Sequence, residues 1–247
     1  MSQPNHLLNN IRLILVQPAG PRNVGSIARV MKNMGLTRLY LVNPLCDHTE
    51  PESLKMAVHA QDVLNNTMIL PDLPSALEGV QRAIATTART RSTPTEFYSP
   101  REGLSWLLED NIETALIFGP EDRGLSNIEL NCAQRFVSIA SNPDYPSLNL
   151  AQAVGICAYE LYNLANVQQT CSNYDLANLA SIDFVEGYYQ QLESTLLKIG
   201  YLYPHTATVR MEKLRRLFNK IQLTNEEVTS LRGILRQIDW YVQQKSN

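Results

Sequence analysis

The chain has 247 residues, of which 44% are hydrophobic and 18% are charged. This composition is typical of a soluble globular protein with one large domain, or with a domain and an appendage. A formal net charge of −3 gives no overall basic signal for nucleic acid, but RNA binding depends on a local positive surface and is not excluded.

Nothing along the chain indicates a membrane or an export route. No run approaches the roughly 20 apolar residues of a membrane span, and the first residues lack the basic and apolar parts of a secretory signal. We therefore expect a cytoplasmic protein, whose four separated cysteines, without any C-x-x-C pair, are free thiols. The four scattered histidines form no metal-binding motif, so no protein-bound metal is expected.

Short apolar runs alternate with helical patterns up to residue 140. Predicted strands cover 11–17, 38–42, 83–87, 114–118 and 135–140. Helical patterns lie between them, at 26–34, 73–80, 101–110 and 127–132. Strands alternating with helices predict an α/β fold, with a mostly parallel sheet covered by helices on both faces.

The pattern changes near residue 149. Residues 149–165 form one long helical pattern, and 166–180 are polar and weakly patterned, as in a linker. No later segment resembles a strand, and the runs 181–198 and 224–241 both begin like capped helices. We predict a domain at 1–165, a linker at 166–180 and a small all-α C-terminal extension at 181–247.

The first strand leads into the segment Asn23-Val-Gly-Ser-Ile-Ala-Arg29. Its small residues let a helix begin close to the sheet, and the free N–H groups at that helix start would attract an anion. We expect Arg22 to lie on the preceding loop and, with Arg29, to face the mouth of a crevice. The alternative is that Gly25 only aids packing and that both arginines are solvated.

A second turn, Gly119-Pro-Glu-Asp-Arg-Gly124, follows the strand at 114–118. Glycine is required where the backbone turns sharply or approaches a ligand. The Glu121 carboxylate could accept hydrogen bonds from a ligand or pair with an arginine across the crevice. The alternative is a surface turn with a Glu121–Arg123 charge pair.

The third turn, 142–149, contains two prolines that stiffen it. It delivers Ser147 and Asn149 to the start of the long helix, where Asn149 could serve as a cap and in the site. Since the carboxyl ends of parallel strands meet at one edge of a sheet, we expect the three turns to form one site. The dinucleotide fingerprint G-x-G-x-x-G, the P-loop and the hydrolase motif G-x-S-x-G are absent from the sequence.

Together, the three segments resemble the SPOUT family of S-adenosylmethionine-dependent RNA methyltransferases, in its SpoU-like 2′-O-ribose branch. The patterns are N-x-G-x-x-A-R, then F-G-x-E-x-x-G-L, then S-L-N before a long apolar helix. In that branch the strand before the third motif usually ends I-P-M and the motif reads S-L-N-V-S, whereas Ile139-Ala-Ser-Asn142 and Ser147-Leu-Asn-Leu-Ala151 stand here. This form, with the helical C-terminal unit, is similar to bacterial tRNA methyltransferases that act on the ribose of nucleotide 32.

The resemblance implies a trefoil knot in the C-terminal part of the domain and a homodimer that completes the site. It also implies S-adenosylmethionine as cofactor, S-adenosylhomocysteine as product and tRNA as partner, without membrane or DNA. The cofactor contacts it implies are Thr86, Thr87, Ala88, Gly119, Ile139, Pro146, Ser147 and Leu148.

The implied catalytic residues are Arg29, Glu121, Ser147 and Asn149. In the SpoU-like branch the arginine at the position of Arg29 is proposed to be the base. A protonated Arg29 that binds phosphate and stabilises developing charge is physically easier. Glu121 would orient Arg29, and the other two would hold cofactor or ribose.

RNA contacts are predicted from basic and polar residues beside the crevice and on one amphipathic segment, 210–220. They are Arg22, Asn23, Arg89, Arg91, Arg123, Lys213, Arg215 and Arg216. The alternative for 210–220 is a solvated charged helix face.

The leading expectation is 2′-O-methylation of cytidine or uridine at nucleotide 32 of tRNA. The alternatives are a ribose methyltransferase for another tRNA position or for ribosomal RNA, and a non-catalytic RNA-binding protein on the same fold. A nucleotide-binding α/β regulator without the cofactor pocket would leave the three-segment pattern as coincidence.

Overall fold

The protein is described here from a computed structural model, which covers residues 6–88, 96–109, 112–167, 179–219 and 223–246. The chain forms two compact units, one of residues 1–77 and 82–174 and the other of residues 78–81 and 175–247. The predicted linker lies largely outside the described residues, and the predicted domain limits stay predictions.

Seven strands of the described chain form one sheet. They are β1 (Ile11–Val16), β2 (Arg38–Val42), β3 (Met68–Leu70), β4 (Arg82–Thr86), β5 (Phe97–Tyr98), β6 (Thr114–Phe118) and β7 (Arg135–Val137). Their order is β3-β2-β1-β6-β4-β7-β5, and each neighbouring pair is parallel. The predicted parallel α/β sheet is confirmed.

The long apolar strands lie where the sequence predicts them. β2 and β6 match their predicted limits, and β1, β4 and β7 end one to three residues earlier than expected. β3 and β5 were not predicted, because segments of three and two residues are too short to show an alternating pattern.

The sheet is buried on both faces, as parallel sheets usually are. Successive side chains of a strand point to opposite faces. Leu13 and Leu15 therefore belong to the large hydrophobic core on one face, whereas Ile14, between them, is fully buried on the other. Ile117 of β6 is likewise fully buried.

The helices of the sheet unit are α1 (Pro21–Asn33), α2 (Pro51–Ala57), α3 (Gln61–Asn65), α4 (Leu73–Ala76), α5 (Pro100–Leu104), α6 (Asn127–Leu130) and α7 (Leu150–Val167). α1 begins five residues before the predicted start at 26, because Pro21 occupies its first turn. Proline fits there, since its missing N–H would have no partner in the helix. Arg22 therefore lies on α1 and not on the loop where we expected it.

The C-terminal unit contains α8 (Ile182–Lys198), α9 (Ala207–Phe218) and α10 (Asn225–Ser246). Its own hydrophobic core includes Tyr188, Tyr189, Met211, Val228 and Leu235. The predicted helical C-terminal extension is confirmed. Across the described residues of both units, no helix combines the length and apolar character needed to cross a membrane.

Candidate active site

A cavity of about 340 Å³ lies at the carboxyl ends of β4, β6 and β7. Its walls come from the turn after β4, the turn after β6 and the segment that leads into α7. The wall residues include all eight that the sequence predicts for the cofactor: Thr86, Thr87, Ala88, Gly119, Ile139, Pro146, Ser147 and Leu148. This is the edge at which α/β sheets bind ligands.

The turn after β6 depends on its two glycines for different reasons. A Cβ at Gly119 would lie 2.4 Å from the backbone nitrogen of Leu125, so a side chain at 119 would collide with the returning loop. Gly124 has φ +65°, in the left-handed region that other residues rarely adopt. Both glycines therefore let the 119–125 loop fold back on itself beside the cavity.

Arg123 holds this loop in place through four hydrogen bonds. Its guanidinium donates to both carboxylate oxygens of Glu129, at 2.9 and 3.0 Å, and to the side-chain oxygen of Gln17 at 2.7 Å. It also donates to the carbonyl of Gly124 at 3.0 Å. Burial raises the pKa of Glu129, but the hydrogen bonds from Arg123 and Ser126, together with the positive charge of Arg123, outweigh this and leave the pKa lowered. Arg123 thus holds the loop from within the protein, and its predicted RNA contact stays a prediction.

Glu121 connects the second turn to the first. One of its oxygens accepts a hydrogen bond from the Asn23 side chain at 3.0 Å, and the other accepts from the backbone N–H of Ala19 at 3.2 Å. Glu121 does not contact Arg29, which it was expected to orient. Its partner across the crevice is an amide and not a guanidinium.

Asn149 extends this network to the third turn. Its side-chain N–H donates to the Asn23 side-chain oxygen at 3.0 Å, while its own oxygen accepts from the backbone N–H of Ala151 at 2.9 Å. Asn149 thus caps α7 and also contacts the first turn. The three predicted segments therefore meet, as expected, through the hydrogen bonds that join Glu121 to Asn23 and Asn23 to Asn149.

Arg29 is exposed on α1, and its side chain has no hydrogen bond or ion pair with any described residue. Arg22, two turns earlier on the same helix, pairs with Glu52 through two bonds of 3.0 Å. An ion pair this exposed contributes little to stability, so a phosphate can displace it. Ser147 is also exposed, at the wall of the cavity.

The basic residues predicted on α9 divide into two kinds. Arg215 donates to Glu186 at 2.6 Å and lies 4.5 Å from the centre of the Tyr189 ring, so it is committed within the C-terminal unit. Arg216 donates to the carbonyl of Glu212 at 3.3 Å, and Lys213 is exposed. The predictions for Arg89 and Arg91 lie outside the described residues.

Sequence reasoning missed the partners of Arg123. Glu129 had a signal, because Ser126-x-x-Glu129 is a capping-box pattern, and the structure forms that box at α6. Gln17 had none, since its role depends on a left-handed backbone of φ +47° directly after β1. Such strained residues occur often beside functional sites.

Two family models together match most of the chain. The SpoU rRNA Methylase family matches residues 10–159, and the C-terminal domain of tRNA methyltransferase TrmJ matches residues 183–247. The first match contains all three segments of the site.

Individual proteins are similar over nearly the whole chain. The tRNA (cytidine/uridine-2′-O-)-methyltransferases TrmJ of Pectobacterium atrosepticum and Klebsiella pneumoniae are 40% and 41% identical to it, over 94% of this chain and 98% of theirs. The crystal structure of TrmJ from Z. mobilis superposes with a TM-score of 0.81 at 30% identity, covering 92% of this chain and 98% of that one. The chain therefore belongs to the SpoU methylase family and, within it, to the TrmJ tRNA methyltransferases.

Proposed function

We propose that this protein transfers a methyl group from S-adenosylmethionine to the ribose 2′-oxygen of cytidine or uridine at nucleotide 32 of tRNA. The observation that carries the proposal is the cavity that unites the predicted cofactor residues, with the Glu121–Asn23–Asn149 network beside it. The relatives named above, which act on cytidine and uridine in tRNA, support the choice of substrate.

The cavity fits the cofactor in size and in character. Its volume falls in the range of small-molecule sites. Phe118, Ile139 and Leu148 supply apolar walls for an adenine ring and an aliphatic chain. Because Arg123 is neutralised by Glu129, the acids of the 119–125 loop leave a negative excess that favours a positively charged sulfonium. When bound, S-adenosylmethionine supplies an electrophilic methyl group.

The protein must then hold the ribose hydroxyl in line with that methyl group. Ser147 and Asn149 offer a hydroxyl and an amide at the cavity and the helix start next to it. Asn149 is fixed by its bonds to Asn23 and to the backbone of α7, so a ribose that binds it meets a preorganised partner.

Arg29 serves as a phosphate clamp in this proposal. An exposed guanidinium that has no carboxylate partner among the described residues is available to an RNA phosphate. Its positive charge also stabilises the negative charge that develops on the attacking oxygen. Arg22 extends this phosphate-binding surface on α1 by exchanging Glu52 for phosphate, and Lys213 is a separate proposed RNA contact of the C-terminal unit.

We further propose that two copies assemble through α7. Ile156, Tyr159 and Tyr162 are exposed at a spacing that places them along one side of this helix. A second copy would cover them. We also propose that the chain forms a trefoil knot and that the protein acts on tRNA in the cytoplasm.

The test is methyl transfer from labelled S-adenosylmethionine to unmodified tRNA, with the modified position mapped. Label at nucleotide 32 that is lost on replacing nucleotide 32 with its 2′-deoxy form supports the proposal. Label at another tRNA position or on ribosomal RNA refutes the substrate but not the chemistry. Tight binding of S-adenosylhomocysteine without transfer to any RNA would favour a non-catalytic RNA-binding protein.

Arg29→Ala provides the residue test, with Lys32→Ala as its control on the same helix. Lys32 pairs with Asp62 at 2.7 Å, away from the cavity wall. We expect the first variant to lose transfer and the second to keep it. An equal loss of methyl transfer in both variants would mean that the effect comes from a disturbed α1 and not from the Arg29 side chain.

A further inference from the structure

One exposed aromatic residue immediately precedes a segment of the cavity wall, and its side chain has no partner among the described residues. Tyr145 is 78% exposed, and the next three residues, Pro146, Ser147 and Leu148, line the cavity. Its ring makes no hydrogen bond, ring contact or cation–π contact with any described residue. A large aromatic group left in water beside a binding site suits a partner that covers its face.

The backbone under Tyr145 is held in place. Its N–H donates to the carbonyl of Asn142 at 3.0 Å, and the N–H of Asp144 donates to the Asn142 side chain at 3.1 Å. The Ser141 hydroxyl donates to the carbonyl of Pro146 at 2.9 Å, which ties the end of the turn to its start. Since the turn is already ordered, placing a partner on the ring costs little conformational entropy.

We propose that Tyr145 stacks on the base of the target nucleotide, an inference that rests on the function proposed above. A ribose whose 2′-oxygen reaches into the cavity keeps its base outside the walls, close to the segment 146–148 that Tyr145 immediately precedes. Cytosine and uracil differ only in the hydrogen-bonding edge at positions 3 and 4. A ring face reads neither position, so stacking binds both bases, whereas an edge-reading residue would select one.

The experiment compares Tyr145→Ala and Tyr145→Phe with the unchanged protein on two tRNAs. One tRNA has the natural pyrimidine at nucleotide 32, and the other has a ribose with hydrogen in place of that base. On the natural tRNA, we expect Tyr145→Ala to lower kcat/KM by about 5- to 150-fold, the usual range for losing one aromatic–base stack. Tyr145→Phe keeps the ring, so its kcat/KM stays within about threefold.

The base-free tRNA provides the decisive comparison. Without a base to stack on, the unchanged protein and Tyr145→Ala should act at the same reduced rate. Ile128→Ala is the matched control, because Ile128 is 79% exposed in the same unit and does not line the cavity. It should behave as the unchanged protein on both tRNAs.

Four results would overturn the inference. The first is no effect of Tyr145→Ala on the natural tRNA, and the second is an equal loss on the base-free tRNA, which assigns the ring another contact. The third is weakened S-adenosylhomocysteine binding, which assigns it a role in cavity shape. The fourth is a change of oligomeric state in sedimentation. Failure of the unchanged protein to methylate nucleotide 32 would instead refute the proposed function.

Discussion

Replacing Gly25 by alanine tests whether the glycine of the first motif serves packing. A Cβ at Gly25 would lie 2.1 Å from the carbonyl oxygen of Ser53, where α1 crosses α2. The two helices would have to separate by about 0.9 Å to reach the 3.0 Å below which real Cβ contacts essentially never occur. Ser53 is fully buried, so α2 has little freedom to move.

The expected cost follows from two opposing effects. Overpacking a buried contact costs about 1–3 kcal/mol, while alanine favours a helix over glycine by about 0.5–1 kcal/mol. At the middle of both ranges the net loss is about 1.3 kcal/mol, which at about 2–4 °C per kcal/mol for a protein of this size lowers Tm by roughly 3–5 °C. Because α1 carries Asn23 and Arg29, a displaced helix should also lower kcat.

Calorimetric unfolding measures this, and added S-adenosylhomocysteine identifies the transition of the unit that contains the cavity, because ligand raises its Tm. Gly233→Ala is the matched control, since a Cβ at Gly233 meets only the end of the Arg236 side chain, at 3.9 Å, and the residue lies within α10. The control should leave Tm unchanged or raise it slightly. If Gly25→Ala behaves as the control does, the close approach of α1 and α2 does not require glycine.

Three further predictions follow from the site. Arg29→Ala should lower kcat/KM on tRNA about 100-fold or more and reduce the salt dependence of tRNA binding by about one phosphate contact, with S-adenosylhomocysteine affinity unchanged in calorimetry. Glu129→Gln should weaken the affinity for S-adenosylhomocysteine several-fold, because it loosens Arg123. The folded pKa of Glu129 is lowered, so the stability that Glu129 contributes is present above its unfolded pKa and is lost as pH falls through its folded pKa. The free energy of unfolding of Glu129→Gln should therefore fall less in acid than that of the unchanged protein. Burial raises the pKa of Cys157 to about 12, so a variant that keeps only this cysteine should react with Ellman's reagent at pH 8 only after unfolding; rapid reaction of the native variant would contradict the burial.

The strands and helices that could be predicted are those with a long apolar run or a long helical pattern in the sequence. β2 and β6 have five residues each, of which the last four form a continuous apolar run, and their predicted limits match the structure. α2 and α3 were missed, because they contain only seven and five residues and bury just two each. For such short helices, the contacts that stabilise them come from α1, which no local pattern reveals.

The convergence of the site could be predicted, because it follows from sheet geometry, but its pairings could not. A parallel sheet requires that the turns after β4, β6 and β7 share an edge, whatever their side chains. Which carboxylate binds which partner depends on distances of a few tenths of an ångström. Glu121 was therefore predicted to orient Arg29 but accepts a hydrogen bond from Asn23. The alternative charge pair between Glu121 and Arg123 does not form, because Arg123 pairs with Glu129.

The glycines of the motifs and their polar residues thus have different roles. Gly25 and Gly119 are required where backbone meets backbone, at Ser53 and at Leu125, and neither close approach involves a ligand. A substitution at either glycine should therefore lower stability and activity together. Substitutions at Arg29 or Tyr145, which have no partner among the described side chains, should lower activity alone. This difference separates the residues that build the cavity from those that act on RNA.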